Sequence, residues 1–338
     1  MRIAFTYNLK TGQSEEQAEY DTPETVSMLE AAFRQLGHEV ILVEASGTAR
    51  ELVDGLEAAR PDLVFNTAEG GVGRGREAYY PALFQRMRIP FTGSDAYVCT
   101  VTLDKHLTKL LVSHHGVRVP GWLFVRSQDD LRRADQLRFP LMVKPNFEGS
   151  SMGITAESVV EDQAALGRRA RALLAQFPDG ILVEEYIAGR DIVVPFLEAA
   201  APETRGILEP AEYVYMTGGA RRFAIFELEM KLRGFSDVHV RSPANLEPAQ
   251  RAEAIRASRL AVDVLGVRDL GRMDYRLGED GELYFLEMNA LPSLEPGASI
   301  YLSGQLAGLD GAAGVMGKVI ESAMRRYPSI AASRVVAD

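Results

Sequence analysis

Apolar positions in the first ninety residues switch repeatedly between strand and helix periods. Residues 2–7 form a short apolar run that reads as a strand, and a polar loop, 8–21, follows it. Thr22 then caps a helix with Pro23 at its first position, where proline's missing N–H would lack a partner anyway. Val26, Leu29, Phe33 and Leu36 make its apolar stripe, and Gly37 ends it. Residues 39–43 read as a second strand, 48–59 as a helix, 62–66 as a strongly apolar third strand, and 77–88 as a further helix. Such β-α-β-α-β alternation predicts a parallel sheet with helices on both faces. Ligands of such sheets bind beyond the carboxyl ends of the strands, here Asn8 and the glycine-rich run 66–77.

Further along, 103–114 reads as one helix, 120–125 and 140–146 as strands, and 180–191 as a strand, a turn and a second strand. Residues 248–265 read as a helix with Ala254, Ile255, Ser258, Ala261, Val262 and Leu265 inward, stopped by Gly266. A last helix is expected over 306–326, burying Val315, Val319 and Met324. Between these two helices lies the most informative stretch, 272–289. Two runs rich in aromatic and apolar residues flank Gly278-Glu279-Asp280-Gly281, a hairpin signal. With Leu277 facing Glu282, Asp274 faces Phe285 and Arg272 faces Glu287. Alternation then gives Arg272, Asp274, Glu287 and Asn289 one face, and Met273, Tyr275, Tyr284, Leu286 and Met288 a core face.

Two carboxylates, an amide oxygen and a guanidinium on one strand face suit Mg²⁺, which is commonly held by one or two carboxylates plus substrate phosphates. Upstream, Lys144 ends a buried strand and is followed by Gly149-Ser150-Ser151-Met152-Gly153. Backbone N–H groups and hydroxyls in such a loop line an anion site, and the lysine adds a point charge. The alternative is an ordinary hairpin tip. Peptide groups along 185–187 could read an adenine edge, and Asp191 could take ribose hydroxyls.

Bulk properties narrow the class. A net charge of −10 argues against general nucleic-acid binding. No apolar run approaches the ~18 residues of a membrane span, and the polar N-terminus does not read as a signal peptide. The single cysteine, Cys99, excludes a disulfide framework within one chain and fits a reducing cytoplasm; its small, β-branched neighbours mark it as a buried structural thiol. The five histidines have no zinc-ligand spacing, and His114-His115 reads as a helix end.

Taken in order, these pieces resemble the ATP-grasp superfamily and, within it, the D-alanine–D-alanine ligase family. The resemblance runs over about residues 62–299. It rests on Ile89-Pro-Phe-Thr-Gly-Ser94, Asp104-Lys105-x-x-Thr-Lys109, Lys144-Pro-x-x-Glu-Gly-Ser-Ser-x-Gly153, Val183-Glu-Glu-Tyr-Ile-x-Gly-Arg-Asp191, and Arg272-Met-Asp through Glu287-Met-Asn289. It implies an ATP-grasp fold, α/β at the N-terminus and α+β in the C-terminal part. The expected divisions are 1–96 (an α/β substrate-side domain), 97–180 (the central ATP-grasp subdomain), 181–330 (the C-terminal subdomain with the metal site) and 331–338 (a tail).

The resemblance also implies roles. Lys105 and Lys144 contact ATP phosphates while Ser150 and Ser151 close over them. Glu184, Glu185, Tyr186 and Ile187 lie against adenine, and Asp191 holds the ribose. Asp274, Glu287 and Asn289 bind two Mg²⁺, with Mn²⁺ a possible substitute, and Arg272 stabilises the oxyanion of a tetrahedral intermediate. A substrate carboxylate becomes an acyl phosphate, and an amine displaces the phosphate. Residues 216–245 form the lid, with Lys231 on phosphate. The partners are amino-acid-like small molecules, and a homodimer through the N-terminal domain is implied.

Four departures fall where amino acids would bind. The family's lid lysine-tyrosine pair is Lys231-Leu232. Its glutamate before Val-Ser is one place early, as Glu24. Its His-Gly is replaced by Ala68-Glu69-Gly70. Its final serine corresponds to Ser299, in an altered run from Ser293. Altered substrates are therefore expected, with Glu69, Arg74 and Arg76 as candidate readers. Two other readings use the same residues: ATP-driven closure within one molecule, and a nucleotide-binding sensor without catalysis. The complete metal face argues against the sensor.

Overall fold

The computed structural model describes residues 1–12, 14–71, 73–215, 223, 225 and 238–327. Strands β1 (Arg2–Tyr7), β2 (Glu39–Glu44) and β3 (Leu63–Asn66) form the expected parallel sheet, in the order β2-β1-β3. Helices α1 (Pro23–Gln35), α2 (Ala49–Ala59) and α3 (Arg76–Met87) flank it. Alternation along β1 decides which face each residue serves. Ile3, Phe5 and Tyr7 pack with Leu29 and Phe33 of α1, while Ala4 joins Leu56 of α2 and Phe84 of α3 on the other side. The Thr22 side chain accepts from the Thr25 N–H, as expected of the α1 cap.

The C-terminal end of the chain returns to this first core. Val315, Val319 and Ile320 pack with Phe5 and Phe33. The helix expected over 306–326 begins at Gly311 as α9 (Gly311–Arg326), and a further helix that the sequence did not suggest, α8 (Ser299–Leu306), precedes it. Gly308 and Gly311, with φ of +80° and +53°, turn the chain between them in a region closed to most side chains.

The central sheet orders β4 (Trp122–Val125), β7 (Ile181–Glu185), β5 (Leu141–Pro145) and β6 (Val159–Val160) as β4-β7-β5-β6, all antiparallel. Helix α6 (Gln163–Gln176), an addition to the sequence expectation, covers one face through Leu166, Ala170 and Leu173, packed on Leu141 and Val143. The alternate residues of β5, Met142 and Lys144, line a cavity on the other face. The C-terminal sheet contains β8 (Gly189–Leu197), β9 (Ala211–Tyr215), β10 (Val238–Arg241), β11 (Leu270–Gly278) and β12 (Leu283–Asn289) in the order β10-β9-β8-β11-β12. A Cβ at Gly189 would stand 1.9 Å from the Leu277 carbonyl oxygen, so only glycine permits this approach of β8 to β11. Helix α7 (Pro248–Leu265) packs behind, and its Ser258 hydroxyl lies 2.9 Å from the Tyr275 hydroxyl.

The helix expected over 103–114 is α5 (Lys105–His114), and a further helix that the sequence did not suggest, α4 (Ala96–Leu103), precedes it. Asp104, in extended conformation, separates them and caps α5 by accepting from the Leu107 N–H. Helix α4 is apolar nearly all round and shows no amphipathic period, which hides it from a pattern reading. Cys99 is buried within it.

The hairpin register also differs from expectation. Leu277 pairs with Leu283, Asp274 with Glu287 and Arg272 with Asn289, because a β-bulge falls between Asp274 and Tyr275. The bulge gives β12 one extra residue, Leu286. Phe285 and Met288 therefore both reach the core, whereas Tyr284 and Leu286, expected there, are only partly buried. Arg272, Asp274, Glu287 and Asn289 keep their common face, because the bulge shifts the core side chains around them.

Of the expected lid, 216–245, only 223, 225 and 238–245 are described. Lys231 and the tail 331–338 lie outside the described residues.

Candidate active site

One cavity of about 570 Å³ is bordered by all three sheets. It receives Lys105, Lys144, Ser150, Ser151, Glu184 to Ile187, Asp191, Arg272, Asp274, Glu287 and Asn289.

Charges at its deep end are paired. Glu184 holds Lys144 Nζ at 2.5 Å through Oε1 and the fully buried Lys109 Nζ at 3.0 Å through Oε2. Burial would raise the Glu184 carboxyl, but the two lysines outweigh it and its pKa is lowered. Glu184 is thus chiefly a clamp on the two lysines, a role the sequence did not reveal. Lys105 lies 3.2 Å from Glu287 Oε2 and donates to the Glu148 carbonyl. Burial would raise Glu287 too, but Lys105, Lys144 and Arg272 hold it at about 2. The loop after β5 places Ser150 and Ser151 at φ +50° and +60°. Left-handed serines cost of order 1–3 kcal/mol each and are typical of ligand clamps.

Beside them, Arg276 stacks on Tyr186 with its Cζ 5.6 Å from the ring centroid, and pairs with Asp191 at 2.7 Å. Tyr215 donates to the other Asp191 oxygen. The Glu185 and Tyr186 N–H groups donate to Gly121 and Pro140 carbonyls, so neither is free to read an adenine edge. Of the three N–H groups along 185–187, that leaves Ile187. The Glu185 carboxylate faces Arg138, at 3.1 Å. Arg276 is a cavity-lining cation missed from the sequence; its position on β11, two residues after Asp274, was the available signal.

On the hairpin face, Arg272 grips Asp274 with two hydrogen bonds of 2.7 and 2.8 Å, and Asn289 Nδ2 donates to Asp274 at 3.2 Å. Among the described residues there is no group of three or more His, Cys, Asp and Glu side chains that could hold a metal alone. The oxygens of Asp274, Glu287 and Asn289 nevertheless fit Mg²⁺, which keeps several waters and needs only one or two carboxylates beside phosphate oxygens.

The other end differs from expectation. Glu24 is exposed in the first turn of α1 and does not line the cavity. Ser299 is buried at the start of α8; Ala298 and Leu302 line the wall there, as does Ser293. Arg76, a candidate reader, is fully engaged instead: it is 3.0 Å from Glu19, 3.3 Å from Glu148, and donates to the Phe147 carbonyl at 2.6 Å. Its role is to tie the 8–21 loop to the 149–153 loop, which Glu15 also does by accepting from the Gly153 N–H at 2.7 Å. Arg74 stacks over Phe147, 5.2 Å from the ring centroid, and is not part of the wall. Glu69 does line the cavity, its N–H donating to Asn8. The wall also includes Glu77, the second glutamate of the glycine-rich run 66–77.

The family profile described as D-ala D-ala ligase C-terminus matches residues 111–311, more than half of the chain. The chain belongs to the ATP-grasp, D-alanine–D-alanine ligase-like family. A D-alanine–D-alanine ligase of Aquifex aeolicus is 29% identical over 280 residues, covering 82% of this chain and 88% of that protein. Two solved structures share the fold. The D-alanine–D-alanine ligase of Bacillus anthracis complexed with ATP has a TM-score of 0.74 at 20% identity, over 97% of this chain and 99% of that one. The VanG D-Ala:D-Ser ligase of Enterococcus faecalis has a TM-score of 0.73 at 18% identity, over 95% and 98%. In this family-defined fold the paired charges occupy the profile-matched part of the chain, except Lys105 and Lys109. The unexpected arrangements around Arg76 and Glu77 lie outside it.

Proposed function

We propose that this protein is an ATP- and Mg²⁺-dependent carboxylate–amine ligase acting on amino-acid-like substrates, with specificity altered from D-alanyl-D-alanine synthesis. The observation that carries this is the convergence of Lys105, Lys144, Asp274, Glu287 and Asn289 on one cavity with the strained Ser150–Ser151 loop. The relatives named as ligases and the neighbour complexed with ATP support it.

Phosphoryl transfer needs charge neutralisation and alignment more than a covalent group. In this reading Lys105, Lys144 and the 149–153 loop hold the phosphates of ATP, and Asp191 and Arg276 flank its sugar and base. Asp274, Glu287 and Asn289 would hold Mg²⁺, which supplies charge neutralisation at the phosphate oxygens. The substrate carboxylate attacks the γ-phosphate to give an acyl phosphate and ADP. An amine then displaces phosphate, while Arg272 faces the developing oxyanion. Water must be excluded meanwhile, or the acyl phosphate hydrolyses. Lys231 and its segment are proposed for that closure on sequence alone.

The test is phosphate release with ATP and Mg²⁺ over a panel of single amino acids and pairs, both enantiomers, with product masses. An amino-acid-dependent signal and a condensed product are expected. A product lighter than its single substrate by one water would favour internal closure instead. ATP binding without turnover on any member would defeat the ligase reading.

A further inference from the structure

Glu77 stands apart from every other acid discussed above. It is 9% exposed and lines the cavity from the first turn of α3. Its carboxylate makes no hydrogen bond or ion pair with any described residue, whereas Glu184, Glu287, Asp274 and Asp191 each have a cationic partner. The neighbouring guanidinium, Arg76, acts on its charge but makes its ion pairs with Glu19 and Glu148. A buried carboxylate without a partner costs several kcal/mol, and that cost falls when a cation arrives. It shares the cavity wall with Lys105 and Glu287, and both act on its charge.

We propose that Glu77 is the acceptor-amine residue: it binds the incoming ammonium and takes its proton as the nitrogen attacks. The inference rests on the ligase reading and adds the group that selects and activates the nucleophile. An ammonium has no lone pair and must lose a proton before attack. One proton passes from nitrogen to a Glu77 oxygen before attack, and the second, released as the amide forms, passes to the departing phosphate. The nitrogen lone pair forms the bond to the acyl carbon, and the acyl carbon–oxygen bond breaks with its electron pair leaving on phosphate. The carboxylate that the burial of α3's first turn leaves vacant for a cation has the right charge for both tasks. Burial, reinforced by Glu19, pushes its carboxyl up to about 7, which suits proton exchange near neutrality.

The test partitions one acyl phosphate between two nucleophiles. Each amino acid that releases phosphate in the panel, D-alanine first, is incubated with ATP, Mg²⁺ and hydroxylamine, and the hydroxamate and condensed products are measured together. Hydroxylamine is neutral at pH 7 and needs neither a counter-charge nor a base. Because both products arise from the same intermediate, their ratio is unaffected by partial unfolding or weakened ATP binding. Glu77→Gln is expected to shift the ratio at least about 100-fold toward hydroxamate, the usual scale of a general base. Glu77→Asp, which keeps a carboxylate, should shift it less. A Gln variant that loses both products equally, or neither, overturns the assignment and leaves the ligase reading standing. A wild-type enzyme that makes neither product with any panel member overturns both.

Discussion

The two ends of the cavity handle charge in opposite ways. At the nucleotide end, Lys144 and Lys109 share Glu184, Lys105 meets Glu287, Arg272 meets Asp274 and Arg276 meets Asp191. Opposite charges are held against one another, and on the proposed function they would be redistributed when phosphates and a cation enter. At the other end, Arg76 is used to join two loops and Glu77 forms no ion pair with any described residue. The first arrangement suits a ligand that is always the same. Of the four sequence departures, those at Glu69 and in the run from Ser293 reach the cavity wall, whereas Glu24 does not.

The strongest way to break this contrast is at the nucleotide end. Glu287→Ala and Lys144→Ala should each lower substrate-dependent phosphate release by about 10²–10³-fold, the scale of lost preorganised charge. Wild-type turnover in either would mean the phosphate and metal assignment is wrong. Lys109→Met tests whether pairing there is structural: Lys109 is fully buried and does not line the cavity. Loss of about 3 kcal/mol in urea denaturation is expected from breaking a buried pair, and an unchanged midpoint would show that Lys144 alone satisfies Glu184.

At the other end, pH separates the two nucleophiles. Glu77 faces Glu19 from the 8–21 loop, Arg76 on its own helix, Lys105 of α5, Glu287 of β12 and Cys99 of α4. Since its folded pKa is raised to about 7 from 4.5, the deprotonated base accumulates as pH rises through 7. Condensed product relative to hydroxamate should rise through that window in the wild type with a break near pH 7, whereas in Glu77→Gln it should start far lower and follow the free-amine fraction with no break there. The stability sign is opposite. The protonated carboxyl favours the folded state, so a contribution on the order of 3 kcal/mol is present below about pH 4.5 and lost as pH climbs through 7. Denaturation of the wild type and Glu77→Gln at pH 5 and 8 would check it: the variant should lose less between the two. The smallest effect is expected for Glu24→Ala. Its carboxylate is exposed and off the wall, so phosphate release should change less than about twofold. A large loss would return Glu24 to the substrate site.

Legibility in the sequence followed the range of the interaction. The first sheet was readable because its strands and helices carry clean periods and caps, such as Thr22 before Pro23. Helix α4 was not, because a segment buried nearly all round has no polar face to set a period. Helix α8 was missed as well, and the helices expected from 103 and 306 start after Asp104 and after the Gly308–Gly311 turn, whose signals are single residues. Among the site residues, lysines at strand and helix ends and the hairpin carboxylates stood in recognisable local order. Glu184's clamp on Lys109 joins residues 75 positions apart, and Arg76's tie to Phe147 spans 71. No local pattern encodes such contacts.

The sequence by itself determined the family, the alternating N-terminal sheet and the common face of Arg272, Asp274, Glu287 and Asn289, because period-two alternation within a strand is covalent geometry. Only the tertiary structure decided that a bulge at Leu286 sends Phe285 and Met288 together into the core, that Arg76 is a structural tie, and that Glu24 stands outside while Glu77 faces the cavity. Whether a charge is paired, buried or open to a ligand depends on what distant strands bring beside it, and that is settled by packing.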